Sequence, residues 1–158
     1  MAIEKVIDYF KSLGAEDKII QFEVSSATVE LAAAALGCEG AHIAKTMSFA
    51  TPEGAVLVVT AGDTKIDNPK FKAQFHTKAK MLSPDEVESL IGHAVGGVCP
   101  FAVNEGVKTY LDVSLKRFEF VYPAAGNAAS AIKSSRRVQN FCKQRSEHDF
   151  LGDQVAGI

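Results

Sequence analysis

Lys45 lies in a run, residues 43–50, that alternates along the chain. Ile43, Lys45, Met47 and Phe49 fall on one side of an extended strand, and Ala44, Thr46, Ser48 and Ala50 fall on the other. A lysine in an apolar row costs desolvation unless its ammonium finds a partner or opens into a cleft. In a cleft it can bind an anion or a carbonyl oxygen, or hold a shifted pKa. At a strand end, its stem instead covers the core while the ammonium reaches solvent. The alternation fits both. A second stretch with chemical potential is Gly96-Gly97-Val98-Cys99-Pro100-Phe101. Two glycines let the backbone approach another molecule, and the proline fixes φ and removes an amide donor. Such a loop can hold N–H and C=O groups in a fixed array that reads a small polar ligand. It is also what an ordinary turn looks like.

Three further side chains carry chemistry by type. Cys99 acts as a nucleophile only with a thiolate and a nearby base, and His93 is six residues away. A small cysteine filling a turn is the stronger reading. Asp112 shares a strand face with Tyr110 and Ser114, as a solvated edge residue or a hydrogen-bonding anchor. Asn127 after Gly126 is what a tight turn wants. There is no phosphate loop, dinucleotide fingerprint or GxSxG elbow. Three cysteines without a CxxC and four scattered histidines give no metal spacing, so neither metal nor cofactor is expected.

The elements that must position these residues follow from periodicity and punctuation. Ile3, Val6, Ile7 and Phe10 predict an amphipathic helix closed by Gly14. Residues 19–23 predict a short strand. Ser26 is placed as the cap of an alanine-rich helix over 27–36, stopped by Gly37. Residues 43–61 read as a hairpin around Thr51-Pro52-Glu53-Gly54. Asn68-Pro69 opens a short helix, and Ser83-Pro84-Asp85-Glu86 is a capping box for another that Gly92 ends. Strands are expected over 110–115 and 119–123, with 128–133 turning at 124–127 to pair back. A last helix is expected over 136–143, and a tail that docks or frays. Helices and hairpins without regular βαβ units make an α+β domain with flanking helices around a mixed, mainly antiparallel sheet.

The totals narrow the class. The chain has 158 residues, 47% apolar and 23% charged, enough for one domain with a real core. No run reaches membrane-spanning length and the start carries no signal pattern, so a cytoplasmic protein without membrane partners is expected. The net charge of −2 hides a division. Lys65, Lys70, Lys72, Lys78 and Lys80 crowd one segment, and Lys133, Arg136, Arg137, Lys143 and Arg145 another. Side by side, they would track phosphates; apart, they are solvated faces.

Taken together, the pieces resemble the YbaK/ProX family of aminoacyl-tRNA deacylases. The same fold occurs as the editing insertion domain of bacterial prolyl-tRNA synthetases. The matching stretches are Ala44-Lys45-Thr46, Gly62-Asp63, the 96–101 loop, Tyr110-Leu111-Asp112 and Tyr122-Pro123-Ala124-Ala125-Gly126-Asn127, within residues 22–141. The resemblance implies a single editing domain over 1–158 that hydrolyses the ester of mischarged aminoacyl-tRNA, typically tRNA for proline. Lys45 would position the terminal nucleotide or carbonyl, and the Gly96 and Gly97 backbone would hold the aminoacyl group and its water. Thr46, Cys99, Pro100, Phe101, Asp112, Gly126 and Asn127 would line or shape the substrate pocket. Family members commonly have Ser or Thr where Cys99 stands, which bears on pocket size and polarity. The implied partners are the acceptor end of aminoacyl-tRNA and prolyl-tRNA synthetase. An aminoacyl ester is already activated, so water positioning with help from the substrate's own groups fits a chain with no triad. Two other readings stay open: a non-catalytic module that binds aminoacyl-tRNA or a synthetase, and a thiol-dependent hydrolase through Cys99.

Overall fold

The computed structural model describes residues 2–135 and 145–148. Helix α1 (Ala2–Ser12) forms as its apolar spacing predicts, with Ile3, Val6 and Phe10 buried. Strand β1 (Ile19–Gln21) follows a single helical turn. Helix α2 (Val29–Leu36) starts later than expected. Its cap is Thr28, whose hydroxyl accepts from the Leu31 amide, and Gly37 closes it in the left-handed conformation. Ser26 does not cap because its hydroxyl is engaged across the chain, accepting from the Ser130 amide at 3.1 Å.

The expected hairpin is β2 (Ala44–Thr51) with β3 (Gly54–Ala61), paired antiparallel from Ala44↔Ala61 to Thr51↔Gly54. Helix α3 (Asn68–Phe75) has Pro69 in its first turn, but the cap is Asp67, one residue before the asparagine expected. Its Phe71 and Phe75 pack on Phe49 and Val58, covering one face of the hairpin. The Ser83–Glu86 capping box is present at α4 (Pro84–Glu86). The helix widens over Val87–Ile91 and stops at Gly92 in the left-handed region. Val87 and Ile91 pack with Leu57 and Leu82 on the opposite face. The sheet is thus covered on both sides, as a lysine-bearing strand with apolar residues on each face demands.

Strand β4 (Lys108–Asp112) is shorter than expected. The Asp112 carboxylate accepts from the Ser114 amide at 2.8 Å and turns the chain into a 3₁₀ turn, Val113–Arg117. β4 lies parallel to β3, so the segment between them is a crossover rather than a further hairpin. Strand β8 (Arg145–His148) adds parallel to β4, giving the order β2-β3-β4-β8 with β2 at the edge.

The late part of the chain also pairs differently. Strand β6 (Ser130–Ile132) pairs antiparallel with β1, Ile19↔Ile132 through Gln21↔Ser130. Strand β5 (Phe120–Val121) pairs instead with β7 (Ser134–Ser135). The Ile132 amide does return to the end of the expected partner strand, donating to the Pro123 carbonyl at 2.8 Å. The return segment is therefore shared between two partners, one of them at the far end of the sequence. The class is α+β with a mixed sheet, and three of the five pairings among the described residues are antiparallel. The helix expected over 136–143 lies outside the described residues. No helix among the described residues is long and apolar enough to cross a membrane.

Candidate active site

The outward edge of β2 carries the site. In the β2–β3 register, Lys45 and Met47 bond to β3, so Thr46 turns its N–H and C=O away from it. On either side of Thr46 that edge is occupied. The Ala44 amide donates to the Tyr122 carbonyl at 3.2 Å, and the Ser48 carbonyl accepts from the Leu82 amide at 3.1 Å. Thr46 sits in the gap, and its buried Oγ1 has no hydrogen-bond partner among the described residues.

A cleft of about 210 Å³ opens on this gap. Its walls come from the Ser26–Val29 entry to α2, from β2, from Leu82 and Val87, from Val95, Gly96 and Val98, and from Tyr122, Ala124, Ser130 and Ala131. Alanines 27, 32, 44, 124 and 131 make much of the lining, with Ser26, Thr28, Lys45, Thr46, Ser48, Tyr122 and Ser130 as its polar members. Ser26 and Ser130 hold two of these walls together, since the Ser26 hydroxyl also reaches the Ser130 carbonyl at 3.3 Å.

Lys45 is half-buried at this wall, and its Nζ donates to the Thr64 carbonyl. Burial pulls its pKa below the usual lysine value. The Asp63 carboxylate opposes that shift, Lys65 adds to it, and Glu30 opposes it more weakly. Asp63 is itself gripped by Arg117 through two bonds of 2.7 and 3.1 Å. The Gly62-Asp63-Thr64 turn that supplies this setting depends on Gly62. A Cβ there would stand 2.2 Å from the Gly40 carbonyl oxygen. The sequence offered a signal for this turn, since Gly62-Asp63 follows a hairpin directly; its link to Lys45 appears only in three dimensions.

The expected site residues separate into three groups. Lys45, Thr46 and Gly96 line the cleft. Gly96 has φ +93°, and a Cβ on it would press on Ala27 and Ala128. Gly97, Gly126 and Asn127 stand directly behind. A Cβ on Gly97 would fall 2.5 Å from the Asn127 nitrogen, and its N–H is spent on the Ala94 carbonyl at 3.1 Å. Gly126 has φ +103°, and Asn127 Oδ1 accepts from the Ala129 amide at 3.0 Å. The third group does not reach the cleft lining. Cys99 and Phe101 are fully buried beneath α1 with Val6 and Phe10, and Pro100 is buried between them. Asp112 is buried at the end of β4. Cys99 Sγ does lie 3.6 Å from His93 Nε2, but both residues are 0% exposed. Sequence reasoning read Ser26 only as a helix cap, Ser48 only as part of the strand alternation and Tyr122 only as part of a matching stretch, and it did not name Thr28 or Ser130, whose isolated hydroxyls carry no local signal. The expected juxtaposition of the two basic segments lies outside the described residues, which omit 136–144.

Fold and site define a small α+β domain with a narrow, alanine-rich cleft, a lysine of depressed pKa and an open strand edge. The chain belongs to the family of the aminoacyl-tRNA editing domain, whose pattern matches residues 23–139. It is 47% identical to YwhH, an uncharacterized protein of Bacillus subtilis (strain 168), over 84% of this chain and 85% of that one. It is 29% identical to a proline–tRNA ligase of Bacillus cytotoxicus, over 82% of this chain and 22% of the ligase. A solved structure described as a candidate trans-editing enzyme for prolyl-tRNA synthetase superposes with a TM-score of 0.85. Its identity is 25%, over 95% of this chain and 96% of that one.

Proposed function

We propose that this protein is a free-acting editing hydrolase that cleaves the ester between a small, wrongly attached amino acid and tRNA, with tRNA for proline as the first candidate. The observation that carries this reading is the cleft wall at which half-buried Lys45, the open edge at Thr46 and the left-handed Gly96 meet. Lys45 offers its ammonium to the ester carbonyl or to the terminal nucleotide. The Gly96 backbone and the Thr46 edge hold the aminoacyl group and the attacking water. Gly97 and Asn127 keep that backbone in place. Water adds to the carbonyl carbon, the bond to the ribose oxygen breaks, and the ribose oxygen leaves with a proton, giving a free amino acid and an intact tRNA end. Among the described residues the cleft lining holds no Asp, Glu or His to take the water's proton. The substrate's own amino group or neighbouring ribose hydroxyl fills that role, which suits an ester that is already activated. A wall of alanines leaves room for a side chain about the size of alanine, cysteine or serine.

The test is a deacylation panel of tRNA for proline charged with alanine, cysteine, serine and threonine. Rapid release is expected for the smallest side chains, with Lys45→Ala losing at least about tenfold, the size of one electrostatic contact at a reacting carbonyl, while the fold persists. Full activity in Lys45→Ala would overturn the site. The lining's lack of a base also fits a module that binds aminoacyl-tRNA without cleaving it. Tight binding with no release of any of the four amino acids would establish that second reading.

A further inference from the structure

A second concavity, of about 850 Å³, lies across Tyr122 from the cleft; Tyr122 lines both. Its floor is unusual in composition. The His42 ring lies 4.3 Å from the Phe118 ring, the Arg117 guanidinium sits 4.8 Å over Phe118, and Phe120 carries Lys133 Nζ at 4.5 Å. Arg117 is held flat by its paired bonds to Asp63, the residue that also acts on Lys45. Phe118 and Phe120 are partly exposed, whereas Val121 between Phe120 and Tyr122 is buried. Rings and a fixed guanidinium make a stacking surface, and nucleobases stack on both.

The charges favour bases over phosphates. Glu39 and Glu119 line the same concavity, and carboxylates repel a phosphate backbone but accept hydrogen bonds from the amino groups of cytosine and adenine. From the continuity through Tyr122 and this ring-and-carboxylate lining, we infer that the groove holds the unpaired bases of the tRNA 3′ end next to the esterified nucleotide. They stack along the His42–Phe118–Arg117 ladder and on Phe120. This rests on the deacylase reading for its orientation, with the amino acid in the cleft and the preceding bases beyond Tyr122.

The experiment uses an uncharged RNA oligonucleotide ending in CCA, with 2-aminopurine at its last position but one. Its fluorescence reports stacking without any need for hydrolysis. Binding is expected to quench the fluorophore. F118L/F120L, which keeps apolar bulk while removing both rings, is expected to weaken binding about tenfold or more and to restore fluorescence. Phe120→Trp is expected to keep the quench. In hydrolysis, the double variant raises KM for the charged tRNA by a similar factor and leaves KM for an aminoacyl-adenosine unchanged, because that substrate ends at the first nucleotide. Equal quench and affinity in the double variant overturn the groove, as does equal binding of an oligonucleotide with abasic sites at those positions. If the oligonucleotide stacks but no ester is ever cleaved, the deacylase reading fails and the groove stands.

Discussion

Two adjacent glycines do different work. Gly96 needs its left-handed φ and faces the cleft, whereas Gly97 needs only the space where a side chain would be. The Gly97 position packs onto the peptide between Gly126 and Asn127, which are backbone atoms and cannot swing aside. Gly97→Ala therefore forces two loops apart at a van der Waals overlap of about an ångström, and a cost near 3 kcal/mol is expected. For a domain of this size, that corresponds to a Tm lower by about 10 °C. Thermal unfolding checks the stability, and the deacylation assay at a temperature where the variant is folded checks the site. Loss of both is expected, since the Gly96 backbone moves with its neighbour. An unchanged Tm would mean that the loops separate without strain. Cys99 is the opposite case, a residue whose reactivity drew attention but which is buried in the core, its sulfur beside His93 Nε2 and the Phe101 carbonyl. Its sulfur is enclosed by Val6, Phe10, Phe101 and Ile132, with no opening toward the cleft lining.

Elements governed by neighbouring residues were legible in the sequence. The α1 periodicity, the β2–β3 hairpin, the Ser83 capping box and the Gly37 and Gly92 stops each depend on residues within a turn or two. What was not legible depends on partners far along the chain. Nothing near residue 130 announces that β6 will pair with β1, more than a hundred residues earlier. The same tie diverts Ser26 from capping α2 and leaves that task to Thr28. The site followed the same division. Lys45 and the glycine loop were visible as anomalies of type, while the gap at Thr46 exists only because Tyr122 and Leu82 occupy the edge on either side. Helix α1 supports the loop from below through Phe10, whose ring meets Phe101 edge-on with centroids 4.9 Å apart. Phe10→Ala is expected to cost about 3–5 kcal/mol. If α1 is a support for the site, urea titration will show that loss and kcat will fall in the fraction still folded. If kcat per folded molecule is unchanged, the loop holds its shape without the helix.

At the scale of the whole molecule, one buried titratable group ties these parts together. His93 is fully buried between the 84–91 helix and the glycine loop. Its Nε2 lies 2.7 Å from the Phe101 carbonyl, and its Nδ1 has no partner among the described residues. Burial pushes its pKa below the usual histidine value. The bond to Phe101 pulls the other way, and Lys5, on α1, adds to the depression. Cys99 Sγ is its other polar neighbour. The folded protein therefore resists protonating His93 while the unfolded chain protonates it near its ordinary pKa of about 6.5. Below that pH the unfolded state binds more protons, so stability falls as the pH drops, and it stops falling only below the depressed folded-state value. The group is neutral in both states above about pH 7.5, and its contribution there does not change with pH. Urea midpoints taken from pH 7.5 down to pH 5 will show this slope in the wild type. His93→Gln keeps a side-chain amide donor for the Phe101 carbonyl and removes the titration, so its midpoints should run flatter over the same range. Parallel slopes for the two proteins would place the acid sensitivity elsewhere. Because His93, Cys99 and Phe101 share one buried cluster under the loop, the acid limb of the stability curve should coincide with loss of deacylation. Activity that persists below the pH at which the wild-type midpoint falls would uncouple the cluster from the cleft.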